Sequence, residues 1–393
     1  MSHPPVTYVA VNLAAIRHNI QQVRAKLSLG AMLCAVVKAN AYGHGSVEVA
    51  RCCAESGARW VAVSNVSEGV SLREAGIALP ILVFLPPAQD ELAALVEHDL
   101  TATVTSTKGA MALMREADRQ GKTARAHLYE DMGLSRMGPS EPVLEILAAT
   151  EPWPSLRIEG LYSHFGPPGS GMNVDEVEWM REGASLKLYA SALADSWREI
   201  TGEQPIFHVA ASSVFLEHPE HHFQMARIGT LLYGQYPGHI PAAKRDLDLR
   251  DTFELRSRVV SVHTVRKGSK IGYGGDFVAP REMRLGTVPV GLTHGLGMIP
   301  ESVTETLRAC AKAFLRRIAA KSGRESLLPR ARIGDKSAAL VGRISMDQCC
   351  VDLTDLPEAD VETEVVLPVR RTAVPASVPR VYLGDSEPEP NAR

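Results

Sequence analysis

The chain has 393 residues, more than one ordinary hydrophobic core accommodates, so two domains are expected. With 45% hydrophobic and 22% charged residues it has the make-up of a soluble globular protein, and a formal net charge of -3 gives no electrostatic reason to expect nucleic acid or an anionic membrane as partner. No basic start precedes an apolar core at the N-terminus, no apolar run is long enough to span a bilayer, and the six cysteines (Cys34, Cys52, Cys53, Cys310, Cys349 and Cys350) lack C-x-x-C spacing, so a cytoplasmic protein with reduced thiols, no disulfide framework and no metal site is expected.

Residues 7–11 read as a strand ahead of everything else. Leu13, Ile16, Ile20, Val23 and Leu27 then line one face of a helix, and an apolar strand over 32–37 follows. The alternation continues with helix 46–56, strand 60–64, helix 66–75, strand 81–85, a helix holding Leu95 and Val96, strand 101–104, helix 110–120 and strand 125–129. Further strands fall at 158–164, 206–210 and 226–228, with a helix over 174–200 between the first two. Seven or eight continuous apolar strands describe a parallel sheet buried on both faces, and closing it gives an α/β fold of the (β/α)8, TIM-like barrel type. The competing open, doubly wound sheet lacks its G-x-G-x-x-G signature after the first strand.

Past Gly234 the texture changes: a Pro- and Gly-containing linker over 236–241 leads to strands at 255–263, 286–290 and 338–344. The expected domains are therefore a barrel over 12–240 and a mostly β domain over 241–393, with which the N-terminal strand (1–11) pairs. Within 299–330 a run of arginines and lysines among alanines and leucines predicts a basic amphipathic helix over 304–322, read as a solvated surface helix.

Chemistry enters at Lys38, in AVVKANAYGHG. Taken alone it ends a strand and reaches into solvent. At the C-terminal end of a barrel strand it stands where such folds build active sites, and an amine there can carry covalent chemistry. The stretch resembles the cofactor-lysine motif of the alanine racemase family, and WVAVSNVSEGVSLREAG, DMGLSRMG, IEGLYSHF, ARIGTLLYG, IGYGG and GRISMDQ follow in that family's order at similar spacings, from about Tyr8 to Asp355. Members join a barrel holding pyridoxal 5'-phosphate to a C-terminal β domain, and the resemblance implies the same here, with a homodimer whose active sites are shared.

The resemblance implies that Lys38 bonds to the cofactor's aldehyde and then acts as a base at the substrate Cα, while Tyr273, supplied by the partner subunit, is the second base on the opposite face. Without it, Tyr273 is a tyrosine in a glycine-rich turn. Arg227 matches the arginine facing the pyridine nitrogen, and His164 a histidine close to it; alone they read as a salt-bridge partner and a core histidine. Tyr42, Ser212, Gly229 and Thr230 match phosphate-binding positions. Arg136 matches a residue touching cofactor and substrate carboxylate, and Met346 a carboxylate-side backbone contact from the second subunit, beside Arg343 and Asp347 at the entrance.

Four departures bear on the substrate. Tyr129 stands where the family has a lysine, often carbamylated, that orients the arginine matching Arg136. The entrance reads Gly291-Leu292-Thr293-His294-Gly295 in place of G-Y-A-D-G, residues 299–330 are an insertion, and no counterpart exists for a C-terminal tyrosine near Y-E-x-L. The expected activity is amino-acid racemisation with alanine as default substrate; a divergent enzyme using the same carbanion for decarboxylation, aldol-type cleavage or substitution, and a noncatalytic cofactor-binding homologue, are the alternatives.

Overall fold

The structure is a computed structural model that describes residues 4–165, 183–238, 240–298, 311 and 328–384. It separates into two compact units, one formed by Leu13–Thr252 and the other by the described parts of Met1–Asn12 and Phe253–Pro388.

Strand β1 (Tyr8–Asn12) belongs to the second unit, and helix α1 (Leu13–Lys26) opens the first. The first unit is built on eight parallel strands: β2 (Met32–Val36), β3 (Trp60–Val63), β4 (Ile81–Val83), β5 (Thr101–Val104), β6 (Ala124–Tyr129), β7 (Leu156–Tyr162), β8 (Ile206–His208) and β9 (Met225–Ile228). Each pairs with the next up to β8, and β9 pairs back onto β2. The seam between β8 and β9 is stitched by the Gln224 N–H to the Phe207 carbonyl at 3.2 Å and the Arg227 N–H to the Ala210 carbonyl at 2.8 Å, so the barrel closes to within a short gap. Continuous apolar strands fit because both faces are covered: every residue of β3, β4, β5 and β9 is buried.

The expected helix over 174–200 is seen as Gly183–Thr201, its earlier part lying outside the described residues, as does the basic helix expected over 304–322 apart from Ala311. Residues 241–252 run along the barrel unit. The buried Asn19 on α1 holds them: its amide donates to the carbonyls of Leu232 (3.2 Å) and Arg250 (2.9 Å), and its Oδ1 accepts from the Arg250 N–H (2.8 Å).

The second unit is a nine-stranded, mostly antiparallel sheet. β1 lies between β10 (Phe253–Arg258), antiparallel to it, and the last described strand, Arg380–Leu383, parallel to it. The single strand expected over 255–263 is two, β10 and β11 (Ser261–Val265). At Val259 and Val260 the chain leaves one set of partners for another, with N–H groups donating to the carbonyls of Thr363 and Thr287, which carries β11 to the sheet's edge. Cys34, Cys52, Cys53, Cys349 and Cys350 are free.

Asn19→Ala removes three hydrogen bonds from a buried position, and it is expected to destabilise the protein by about 2–4 kcal/mol, read as a lowered thermal unfolding midpoint with the active-site spectrum unchanged below it.

Candidate active site

The C-terminal ends of the barrel strands collect most of the residues singled out in the sequence. Lys38 follows β2, His164 follows β7, Ser212 follows β8, Arg227 lies on β9, and Gly229 and Thr230 come directly after it. Arg136 is on the loop beyond β6.

After Lys38 the backbone does something unusual for residues with a Cβ. Ala39, Asn40, Ala41 and Tyr42 all have φ of 52° to 54°, in the left-handed helical region. The turn is fastened at many points. Ala41 N–H donates to Val37 O (2.8 Å) and Gly43 N–H to Ala39 O (3.0 Å). The Glu68 carboxylate accepts from the N–H groups of Ala39 (2.6 Å) and Ser64 (2.8 Å), and Asn40 Oδ1 accepts from the Ser46 N–H (3.0 Å). Glu68 is itself placed by Asn65, which caps the helix Val66–Glu74 by accepting its N–H. Beneath, the Tyr233 hydroxyl donates to Val36 O at 2.9 Å and its ring lies 4.9 Å from that of Tyr42.

Lys38 reaches over the Phe84 ring, 5.7 Å from its centroid. Burial, followed by the positive charge of Arg136, pushes its pKa below the ordinary lysine value; Glu68 acts against this and Arg227 with it. A neutral amine is thereby made more available for covalent chemistry.

Arg227 is 3% exposed, and among the described residues it meets no carboxylate. Its Nη1 donates to His208 Nδ1 (2.8 Å) and His208 O (2.6 Å), its Nη2 to the carbonyls of Ser163 (2.5 Å) and Val209 (3.5 Å), and its guanidinium carbon stands 5.1 Å from the Tyr162 ring centroid. Nearby, burial and then the charge of Arg227 lower the pKa of His164 to about 3, so this imidazole is neutral at physiological pH.

At the end of β9, the Ser212 hydroxyl accepts from the Gly229 N–H at 3.3 Å. A Cβ at position 229 would come within 2.6 Å of Tyr42 Oη, so only glycine lets the phenol lie against the backbone. Thr230 Oγ1 is buried with no hydrogen-bond partner among the described residues. A hydroxyl, a phenol and an orphaned threonine oxygen around one backbone cradle, with no carboxylate among them, suit an anion such as a phosphate group.

Tyr273 and Met346 lie in the second unit and are exposed, at 71% and 63%. Tyr273 rides a short turn between Gly272 and Gly274, and a Cβ at 272 would fall 2.9 Å from the Arg343 N, so this turn packs directly on the Arg343 backbone. The Met346 carbonyl accepts from Thr293, through its N–H at 2.9 Å and its hydroxyl at 2.8 Å. The tyrosine turn, the 343–346 loop and the altered entrance stretch 291–295 are thus linked within this unit.

Sequence reasoning passed over Glu68 and His208. The N-x-x-E pattern at Asn65 and Glu68 was the available signal for the first. For His208, in PIFHVAA, no local pattern marks the contact with Arg227.

Comparison with known proteins agrees with this arrangement. A family model described as the alanine racemase N-terminal domain matches residues 11–237, and one described as the alanine racemase C-terminal domain matches 252–378. The alanine racemase of Methanococcus maripaludis is 32% identical over 363 residues, covering 92% of this chain and 88% of that protein. That of Desulforamulus reducens is 31% identical over 401 residues, covering 96% and 99%. Among solved structures, the alanine racemase from D-cycloserine-producing Streptomyces lavendulae superposes with a TM-score of 0.77 at 29% identity, covering 98% of both chains. The Clostridium difficile 630 alanine racemase has the same fold, with a TM-score of 0.82 at 24% identity and 98% coverage of each. With both family models spanning most of its length, this chain belongs to the alanine racemase family.

Proposed function

We propose that this chain is a pyridoxal-phosphate-dependent amino-acid racemase that interconverts L- and D-amino acids, with alanine as its default substrate. The observation that carries this reading is the joint presence, at one barrel mouth, of a partly desolvated lysine, a buried arginine and a cradle with an orphaned hydroxyl, with no carboxylate on either among the described residues. When bound, pyridoxal phosphate supplies the electron sink that makes the substrate Cα proton labile. Lys38 would hold it covalently; Tyr42, Ser212, Gly229 and Thr230 would hold its phosphate; Arg227, with His164 beside it, would face its ring nitrogen.

The protein's own groups then divide the work. Arg136 is exposed and has no hydrogen bond or ion pair among the described residues, which leaves its guanidinium for the substrate carboxylate, with Met346 of a second copy of the chain as a backbone contact on the carboxylate side. Lys38 takes or gives the proton on one face of Cα. Racemisation needs a second group opposite, since a single base tends to return the proton to the face it left. Tyr273 fills that role from a second copy of the chain, in a homodimer with shared active sites; its exposure on the unit that carries it supports this assignment. The free thiols fit a reducing, cytoplasmic setting.

The direct test is incubation of cofactor-loaded protein with L-alanine in heavy water. Racemisation gives D-alanine carrying deuterium at Cα; new amine or aldehyde products, or no turnover, would refute it. Lys38→Ala should lose the visible absorbance of the loaded protein after dialysis. Tyr273→Phe should keep that absorbance and the dimer while the rate in at least one direction falls by about 100- to 10,000-fold, measured by Cα deuterium exchange from each enantiomer. A pH test follows from the Glu68 carboxylate, which raises the Lys38 pKa. Glu68→Gln removes the charge while keeping one of the two accepting oxygens, so the pKa of Lys38 drops further and the inflection in the rate of cofactor uptake by the apo-protein moves to lower pH, as read by stopped-flow absorbance.

A further inference from the structure

β6 and β7 do not pair regularly. Their register passes from Ala126 opposite Ile158 to His127 opposite Gly160, so Glu159 is an extra residue with no partner on β6. A bulge of this kind re-aims the inserted side chain. Here it gives a glutamate whose side chain is only 11% exposed and whose Oε1 lies 4.0 Å from His127 Nε2. Gly160 makes room for the same imidazole, because a Cβ there would meet His127 Cε1 and the Ile206 carbonyl, both at 2.8 Å.

From His127 the contacts run inward. Its Nδ1 is 2.9 Å from His208 Nε2, and His208 Nδ1 is 2.8 Å from Arg227 Nη1. The donors and acceptors along this line are fixed by chemistry. A guanidinium only donates, so His208 Nδ1 must accept. A neutral His208 then carries its proton on Nε2 and gives it to His127 Nδ1, which leaves His127 with its proton on Nε2, facing Glu159. His127 Nε2 and Glu159 Oε1 are buried, have no hydrogen-bond partner among the described residues and face each other in an electrostatic contact longer than a hydrogen bond. Both imidazoles are held neutral, chiefly by burial and then by the charge of Arg227, with His127 brought down to about 3.

We propose that Glu159 and His127 are positioning residues that act through His208, fixing the proton pattern that keeps Arg227 in place. This rests on the reading that Arg227 faces the cofactor ring nitrogen. The opposite pattern would aim an imidazole N–H at the guanidinium and leave Arg227 Nη1 without that acceptor. Glu159 selects against it from the far end of the line. The carboxylate itself is faced by Arg125 at 3.6 Å on β6, by Arg157 on its own strand, and by Asp99 and Glu203.

The test uses holoenzyme with 15N-labelled histidine, assigned with H127Q and H208Q. Nitrogen shifts at neutral pH should show both imidazoles neutral and protonated on Nε2. In E159L the electrostatic preference for a proton on Nε2 is lost, so the His127 pattern should become mixed and kcat should fall roughly two- to tenfold, with KM and the cofactor absorbance unchanged. E159Q, which keeps an acceptor, should restore the wild-type pattern. A wild-type His208 or His127 that is charged or protonated on Nδ1 overturns the proposal, as does an E159L variant with unaltered shifts and kcat. Should E159L not fold, E159A, which removes the carboxylate without adding bulk, is read in the same way. The tautomers can also be read in apo-protein, so failure of Lys38 to hold cofactor would count against the proposed function and not against this relay.

Discussion

The site depends on a strained turn. Four consecutive residues with side chains, Ala39 to Tyr42, are held in the left-handed region, where each costs roughly 1–2 kcal/mol against the right-handed helix. Such a run persists only when its surroundings over-determine it. Here they do, through the Glu68 carboxylate, the Asn40 side chain and the Tyr233 hydroxyl beneath the strand end. What the strain achieves is reach: the chain reverses within one turn of the end of β2, so Lys38 and Tyr42 serve the same mouth from positions four apart. Tyr42 can then lie against Gly229 on the neighbouring strand, which pairs with β2.

The second constraint is electrostatic. A buried guanidinium ordinarily finds a carboxylate, and the Coulomb attraction then cancels its field. Arg227 is instead satisfied by carbonyl dipoles and an imidazole. Hydrogen bonding is met while no described carboxylate compensates the charge at short range, so among the described residues its positive potential is left to act on the mouth. Its effect already shows inside the protein, where it helps lower Lys38 and His164. A cation with no described counter-charge favours a neutral amine beside it and an anion in the cradle at the end of β9.

The barrel was legible because its signals are local. Apolar runs alternating with helical periodicity marked all eight strands, and the motif residues on their C-terminal ends came together as the strand order requires. The two strands that replace 255–263 were not legible, since Val259 and Val260 are apolar and β-branched and only their change of partners breaks the strand. Glu159 and His127 were hidden for a similar reason: a bulge leaves no mark in the hydrophobic pattern, and Gly160 looks like any strand glycine until a ring is found against it. Lys38, Arg227 and Tyr273 stood out through resemblance, because taken singly each has an ordinary structural explanation.

Tyr129, standing where the family usually has a lysine, changes the surroundings of Arg136. Its hydroxyl is buried without a partner among the described residues, edge-on to Tyr162 with the rings 5.1 Å apart. Burial, with a further push from Asp131, raises its pKa, so it stays neutral and offers Arg136 a dipole where an anion would have offered a counter-charge. Arg136 accordingly has no anionic anchor among the described residues and is exposed at the mouth. Fixing its side chain is then a cost met when a carboxylate arrives, through a charge-assisted, two-pronged contact. An arginine with no anionic anchor among the described residues can meet a carboxylate in more than one placement, and Leu292 to His294, which stand where the family usually has a tyrosine and an aspartate, add neither a phenol nor a carboxylate to the stretch that Thr293 ties to Met346.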